Sequence, residues 1–246
     1  MLVVCAMEEE AVHLRRRLVD PVEETMPSAA WPLTRGAVGG VGVRLLICNI
    51  GEANAAAGTA AMLSSSGWRP RAVINYGCNG AHAAHIREGD VVRPLRDPAS
   101  PLMTDPCADP CFFSSLIIFR LQVLGEEVFP MDAAKVLPDG TKTYMGFRGG
   151  TLGGFNESAT LPADPALIAA AEAAGERLTS ASALPIWPGV EVRPVVHRGV
   201  VGSSDTWTQH RPSIETLHEQ HGTMCEEMEA SSIAAVCASF GVPFLA

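Results

Sequence analysis

The chain has 246 residues, 47% of them hydrophobic and 18% charged, with a formal net charge of -9, which describes a globular chain long enough for one sizeable α/β domain. The negative balance excludes nucleic acid and anionic membrane as partners, because both need a basic surface to displace counterions, and small neutral ligands remain the easy class. Seven cysteines, mostly inside apolar runs, suit reduced thiols in a cytoplasmic protein better than a disulfide frame.

Leu2 to Met7 is an apolar run with β-branched residues and predicts a buried first strand. It is too short for a signal core and runs straight into Glu8, Glu9 and Glu10; no window in the chain is long enough to span a membrane. These acids open a helix predicted to Leu18, with Arg15, Arg16 and Arg17 at its far end, the order the helix dipole favours. Glu10 then sits just past a strand's C-terminal edge, where open α/β sheets place ligands. The same acids have a plainer reading, as the solvated start of a helix.

Leu33 to Ile50 predicts two strands joined at Gly39 and Gly40, and Gly51 to Ser66 a small-residue helix ended by Gly67. Arg71 to Gly77 is a further buried strand. In the CNGAH that follows, Gly77 and Gly80 let the backbone approach a ligand closely, or simply make a tight turn. Gly89 to Val92 enters another strand. From Pro94 to about Gly140 the chain changes character: proline-punctuated loop, then the apolar run Cys111 to Leu124, expected to pack as a strand or cover an interface. Cys107 and Cys111 have no second Cys or His pair at ligand spacing, so no metal site is expected. The glycines from Gly146 to Gly154 lack the lysine and spacing of a phosphate loop and predict a turn.

Asp164 to Leu178 is an amphipathic helix with Asp164 as N-cap and Pro165 at the first helical position. Val190 to Val201 alternates into a strand, and Ser203 to Gln209 is a loop whose Trp207 either stacks on a planar base or plugs the core. Pro212 to His221 is a short helix. It leads to Glu226, Glu227 and Glu229, which crowd before an alanine-rich helix and a closing strand, Val242 to Leu245. At least one acid is therefore at a helix N-terminus, where N–H groups favour negative charge. An ionised carboxylate fixed there offers two adjacent acceptors to a vicinal diol such as ribose. The histidines are scattered and suggest no nucleophilic triad.

Taken as a set, AMEEEA (6–11), VINYGCNGAH with GDVV (73–92), VGSSDTW (201–207) and EEMEASSIAAVCASFGVPF (226–244) resemble the nucleoside phosphorylase superfamily, and within it the 5′-methylthioadenosine/S-adenosylhomocysteine nucleosidases. The resemblance implies a three-layer α/β/α sandwich around a twisted mixed sheet, one domain over 1–246, a homodimer, and no cofactor. It implies that Glu10 orients and activates the attacking water and that Glu229 holds the ribose hydroxyls, with Met228 beneath the sugar. Trp207 stands at the purine-stacking aromatic position, Cys78 where nucleosidases usually carry a serine near the sugar, and Gly80 and Glu227 among the substrate-binding positions. Cleavage of an N-glycosidic bond passes through an oxocarbenium-like sugar, which a nearby carboxylate and an activated water both assist.

Two departures stand out. The aspartate that protonates the purine in those nucleosidases lies beyond the strand beginning at Val242, and this chain ends at Ala246, so it reads as C-terminally incomplete or as lacking its general acid; Asp205 is the nearest substitute. Segment 94–140 departs too. Three functions follow: a nucleoside hydrolase, a phosphate-dependent phosphorylase, or an inactive nucleoside-binding or storage relative. The acidic loop after the first strand favours water over phosphate, since a carboxylate about 4 Å from a phosphate oxygen costs about 4 kcal/mol at an effective dielectric of 20.

Overall fold

A computed structural model describes residues 1–26, 31–65, 67–84, 86, 123–132, 134–139, 142–144, 147–151, 154–158, 160–180 and 197–246. The first half runs β1 (Leu2–Cys5), α1 (Glu8–Arg15), β2 (Val19–Thr25), β3 (Pro32–Val38), β4 (Val41–Ile47), α2 (Glu52–Ser64), β5 (Val73–Asn75) and β6 (Gly80–Ala81). Next come β7 (Val123–Pro130), β8 (Ala134–Val136), β9 (Lys142–Tyr144), β10 (Phe147–Thr151), β11 (Gly154–Ser158) and β12 (Leu161–Pro162). The chain continues through α3 (Pro165–Ser180), β13 (His197–Ser203), α4 (Arg211–His221), β14 (Thr223–Glu227), α5 (Ala230–Phe240) and β15 (Phe244–Leu245).

The apolar run at the start becomes β1, buried along its whole length. It has parallel partners on both sides, β4 and β5, so both of its faces must meet apolar layers. Leu2 and Val4 face Ala55 and Met62 of α2 and Ile233 and Cys237 of α5. Val3 and Cys5 face Ala11 and Leu14 of α1. These two faces make the expected α/β/α layering.

The strands form mixed sheets. The largest has six strands in the order β15-β5-β1-β4-β3-β2 and the next five in the order β12-β7-β13-β14-β6, while β8-β9 and β10-β11 pair as antiparallel two-stranded sheets. The Gly125 N–H, on β7, donates to the Ala246 carbonyl at 3.2 Å, and this bond links the two larger sheets where β15 ends. The strand expected over Val242 to Leu245 is observed at Phe244 and Leu245, which pair β5 in parallel.

Several elements differ from the sequence reading. Helix α1 stops at Arg15, and β2 follows as an edge strand that the sequence does not announce: VDPVEET has proline and three acids, and most of it is exposed, so no alternation marks it. Val123–Pro130 is a strand in the interior of the second sheet between β12 and β13; it takes in the end of the apolar run expected to pack as a strand or cover an interface and continues past Leu124, where the sequence reading assigned no element. Its Glu126–Glu127 pair hides the pattern. The glycines from 146 to 154 are not only a turn, because β10 and β11 pair antiparallel across them. Gly80–Ala81 is a short strand opposite β14 rather than part of a turn. Helix α3 begins as expected, with the Ala166 and Leu167 N–H groups donating to Asp164 Oδ1 at 2.9 and 3.1 Å. The strand at Gly89 to Val92, the run 111–122 and Cys107 with Cys111 lie outside the described residues.

Candidate active site

Glu10 lies on the first turn of α1, and its carboxyl folds back over the end of β1, as the acid of a capping box does. Oε2 accepts the Ala6 and Met7 N–H groups at 2.9 and 3.0 Å. Capping accounts for that oxygen only. Oε1 reaches a different strand and accepts the Cys78 N–H at 2.9 Å, just past β5. Three donors thus fix a 5% exposed carboxylate, and since a carboxylate has about four lone-pair sites, one is left for a further donor such as water. Gly77 makes room for it: a Cβ there would stand 2.9 Å from Oε1.

Glu229 comes to the same edge from the other end of the chain. It is the N-cap residue of α5, and its Oε1 accepts the Gly51 N–H at 2.8 Å, beyond the end of β4. Because β1 lies between β4 and β5, Glu10 and Glu229 converge at the C-terminal edge of three neighbouring parallel strands. Cys48 lies within the field of both: burial pushes its thiol up to about 12, and Glu229, Glu10 and Glu227 add to the rise.

So many acids at one edge need compensation, and two helix N-termini supply it. At α5, Glu227 Oε2 accepts the Glu229 and Ala230 N–H groups at 2.8 and 2.7 Å, together with the Asn75 side-chain amide at 2.9 Å. At α2, besides Gly51 and Glu229, the Glu52 N–H donates to Asp205 Oδ1 at 2.6 Å, and the Ser231 hydroxyl donates to Glu52 Oε1. Burial still raises all three glutamate carboxyls, Glu227 to about 7, Glu52 to about 7 and Glu229 to about 8, the last with a further push from Glu227 and then Glu10. Gly51 is fitted to this junction, with φ of 100° and a Cβ position 2.9 Å from Asp205 Oδ1.

The remaining expected residues fall as follows. Cys78 is partly buried and is the donor to Glu10. Met228 is partly buried between Glu227 and Glu229. Trp207, also partly buried, lays its ring against Gly80, where a Cβ would meet two indole carbons at 3.3 Å. Gly51, Asn75, Glu52 and His82 belong to this network and were not singled out from the sequence. Each touches a partner more than 100 residues away, and no local pattern signals such a pairing. No group of three or more His, Cys, Asp or Glu arranged to hold a metal occurs among the described residues.

The chain thus has a layered α/β architecture with buried carboxylates gathered at the edge of its parallel strands. The chain belongs to the phosphorylase superfamily, whose family model matches residues 1–106 and 123–246. It is 30% identical to a 5′-methylthioadenosine/S-adenosylhomocysteine nucleosidase of Geobacillus kaustophilus, over 99% of this chain and 80% of that protein. Its fold is similar to that of the corresponding nucleosidase of Neisseria meningitidis solved with methylthio-immucillin-A, at a TM-score of 0.67 and 22% identity over 99% of this chain and 81% of the other. Futalosine hydrolase of Helicobacter pylori is equally similar in fold, with a TM-score of 0.67 at 18% identity over 99% and 80% of the two chains.

Proposed function

We propose that the protein hydrolyses the N-glycosidic bond of a purine nucleoside of the methylthioadenosine kind. The observation that carries this reading is the convergence of Glu10 and Glu229, held by Cys78 and Gly51 respectively, at one strand edge. Glu10 takes a water on its remaining lone pair and draws a proton from it as the oxygen attacks C1′ of the sugar; the C1′–N9 bond breaks, its electron pair leaves on the purine, and the base takes up a proton from solvent. Glu229 binds the ribose hydroxyls, Met228 lies under the sugar, and Trp207 over Gly80 stacks on the base. Cys78 borders the sugar and Glu227 holds the start of α5. Negative charge at this edge also favours the oxocarbenium-like transition state.

Asp205 is assigned to the loop rather than to proton donation, because its Oδ1 is taken by the Glu52 N–H and its own N–H is held by Asp132 Oδ2 at 3.0 Å. The reading extends to a cytoplasmic homodimer acting in salvage of methionine-derived nucleosides. Cys5, Cys48, Cys225 and Cys237 are buried as thiols, as the reading of reduced cysteines expects. No helix among the described residues is long and apolar enough to cross a membrane.

The test is release of adenine from methylthioadenosine with and without inorganic phosphate. Release without phosphate, yielding the free sugar, is expected. Release only with phosphate makes the protein a phosphorylase, and calorimetric binding without release makes it an inactive nucleoside-binding relative.

A further inference from the structure

Beside the Glu10–Glu229 set lies a second buried ionisable pair that the chemistry above does not use. His82 follows β6 and Glu226 lies on β14, with side chains 1% and 3% exposed. His82 Nε2 and Glu226 Oε2 face each other at 3.2 Å without the alignment of a hydrogen bond. Behind the imidazole, Nδ1 is 2.8 Å from the Thr223 hydroxyl. On the other side of the carboxylate, Oε1 accepts the Thr208 N–H at 2.7 Å. The line of groups from Thr223 through His82 and Glu226 therefore ends at the residue after Trp207. A Cβ on Gly80 would meet both the indole and Glu226 Cγ, the latter at 3.7 Å, so ring and acid share one wall.

Strand pairing does not need these side chains. The His82 N–H already donates to the Met224 carbonyl at 2.8 Å, and Gly80 and Ala81 pair with Glu226 and Cys225 through the backbone. A buried ionisable pair is also a weak device for stability, since apolar side chains of similar volume do as well or better. What Glu226 does that an apolar residue cannot is take up the Thr208 N–H. The other loop anchors, Ser204 N–H to the Glu227 carbonyl at 3.1 Å and Asp205 N–H to Asp132, come before Trp207.

We propose that Glu226, backed by His82, is a positioning residue that sets the pose of Trp207 on Gly80 and thereby the affinity for the nucleoside base. This rests on the nucleoside reading of the site. Glu226 itself does not touch the reacting bond. Without its acceptor, the Thr208 N–H turns toward solvent and the indole leaves the Gly80 wall.

The experiment compares Glu226→Gln, Glu226→Ala and the double variant His82→Leu with Glu226→Val. Two readouts are taken: Trp207 emission in the ligand-free protein, isolated by subtracting the spectrum of Trp207→Phe, and KM and kcat for methylthioadenosine. In the double variant, where both polar side chains go and the core stays filled, the expected result is parental stability, a red-shifted Trp207 emission, KM raised about tenfold and kcat within about threefold, the size of one lost hydrogen bond. Glu226→Gln keeps an amide oxygen for Thr208 and is expected to hold KM within about twofold. Should Glu226→Ala unfold because His82 is left buried alone, the double variant still decides. A double variant with parental emission and KM overturns the proposal, as does a Glu226→Gln as impaired as Glu226→Ala. If the parent protein cleaves no nucleoside, the functional reading falls, while the emission of the ligand-free variants still tests the positioning claim.

Discussion

The backbone N–H of Glu229 donates to the side chain of Glu227 at 2.8 Å, and the same Oε2 atom accepts from Ala230 and Asn75. Two acids two positions apart thus have different tasks. Glu227 anchors the start of α5, and Glu229 carries its carboxyl across to Gly51 at the C-terminal edge of the parallel strands. Three donors hold charge on Glu227, so Glu229 is the member of the pair that more readily keeps a proton.

This division predicts a pH dependence of stability. Glu52, Glu227 and Glu229 have carboxyls raised from 4.5 to about 7, 7 and 8 in the folded state. Between pH 4.5 and 8 the folded chain therefore binds more protons at these groups than the unfolded chain, and their contribution falls as pH rises through that window. The slope is at most about 1.4 kcal/mol per pH unit for each titrating group. His221 and the amino terminus are shifted downward by burial and oppose this trend, so the informative comparison is with Glu229→Gln. Thermal melts from pH 5.5 to 9 are expected to show a flatter decline in the variant, and identical slopes contradict the assignment.

Glu10→Gln removes the proposed base while keeping shape. Hydrolysis is expected to fall by about 10² to 10⁴, with nucleoside binding by calorimetry close to that of the parent. Equal loss of binding and turnover would instead make Glu10 a ligand-holding group.

Two glycines separate local from backbone effects. Gly77→Ala places a methyl group 2.9 Å from Glu10 Oε1, without a positive φ. Turnover is expected to drop at least about tenfold, the scale of a displaced catalytic group, with little change in Tm. Gly51→Ala meets Asp205 and also has φ of 100°, so it is expected to lower stability by about 1 to 3 kcal/mol as well. Denaturant melts beside steady-state kinetics distinguish the two.

Trp207→Ala is expected to weaken nucleoside binding by about 1 to 3 kcal/mol, the value of one base stacked on an aromatic ring, with Trp207→Phe retaining most of it. Calorimetry with a non-hydrolysable nucleoside analogue measures this. Unchanged affinity in Trp207→Ala returns the indole to a packing role.

The N-terminal strand, the Asp164-capped helix, the helix from Arg211 and the acids before the last helix were all legible because each signal is local: an apolar run, a cap followed by proline, a charge order along one helix. β2 and β7 were not. Both carry acids where an alternating pattern would show, and both become strands because of what lies beside them, β3 for one and β12 and β13 for the other. The site divides the same way. Glu10 and Glu229 were visible as acids placed just after a strand and at a helix start, whereas the Gly51 and Asn75 groups that hold the cluster were not, and Cys78 stood out only through the family resemblance.

Sequence alone determined the class of chain, the helix and strand types where periodicity is strong, and the acids from which a diol site can be built, because these follow from neighbours within a few residues. Only the tertiary structure decided which oxygen of each acid is spoken for. Parallel pairing of β4, β1 and β5 brings Gly51, Glu10 and Cys78 to one edge, and the division of labour between Glu227 and Glu229 depends on donors up to 178 residues away. No short-range propensity encodes that distance.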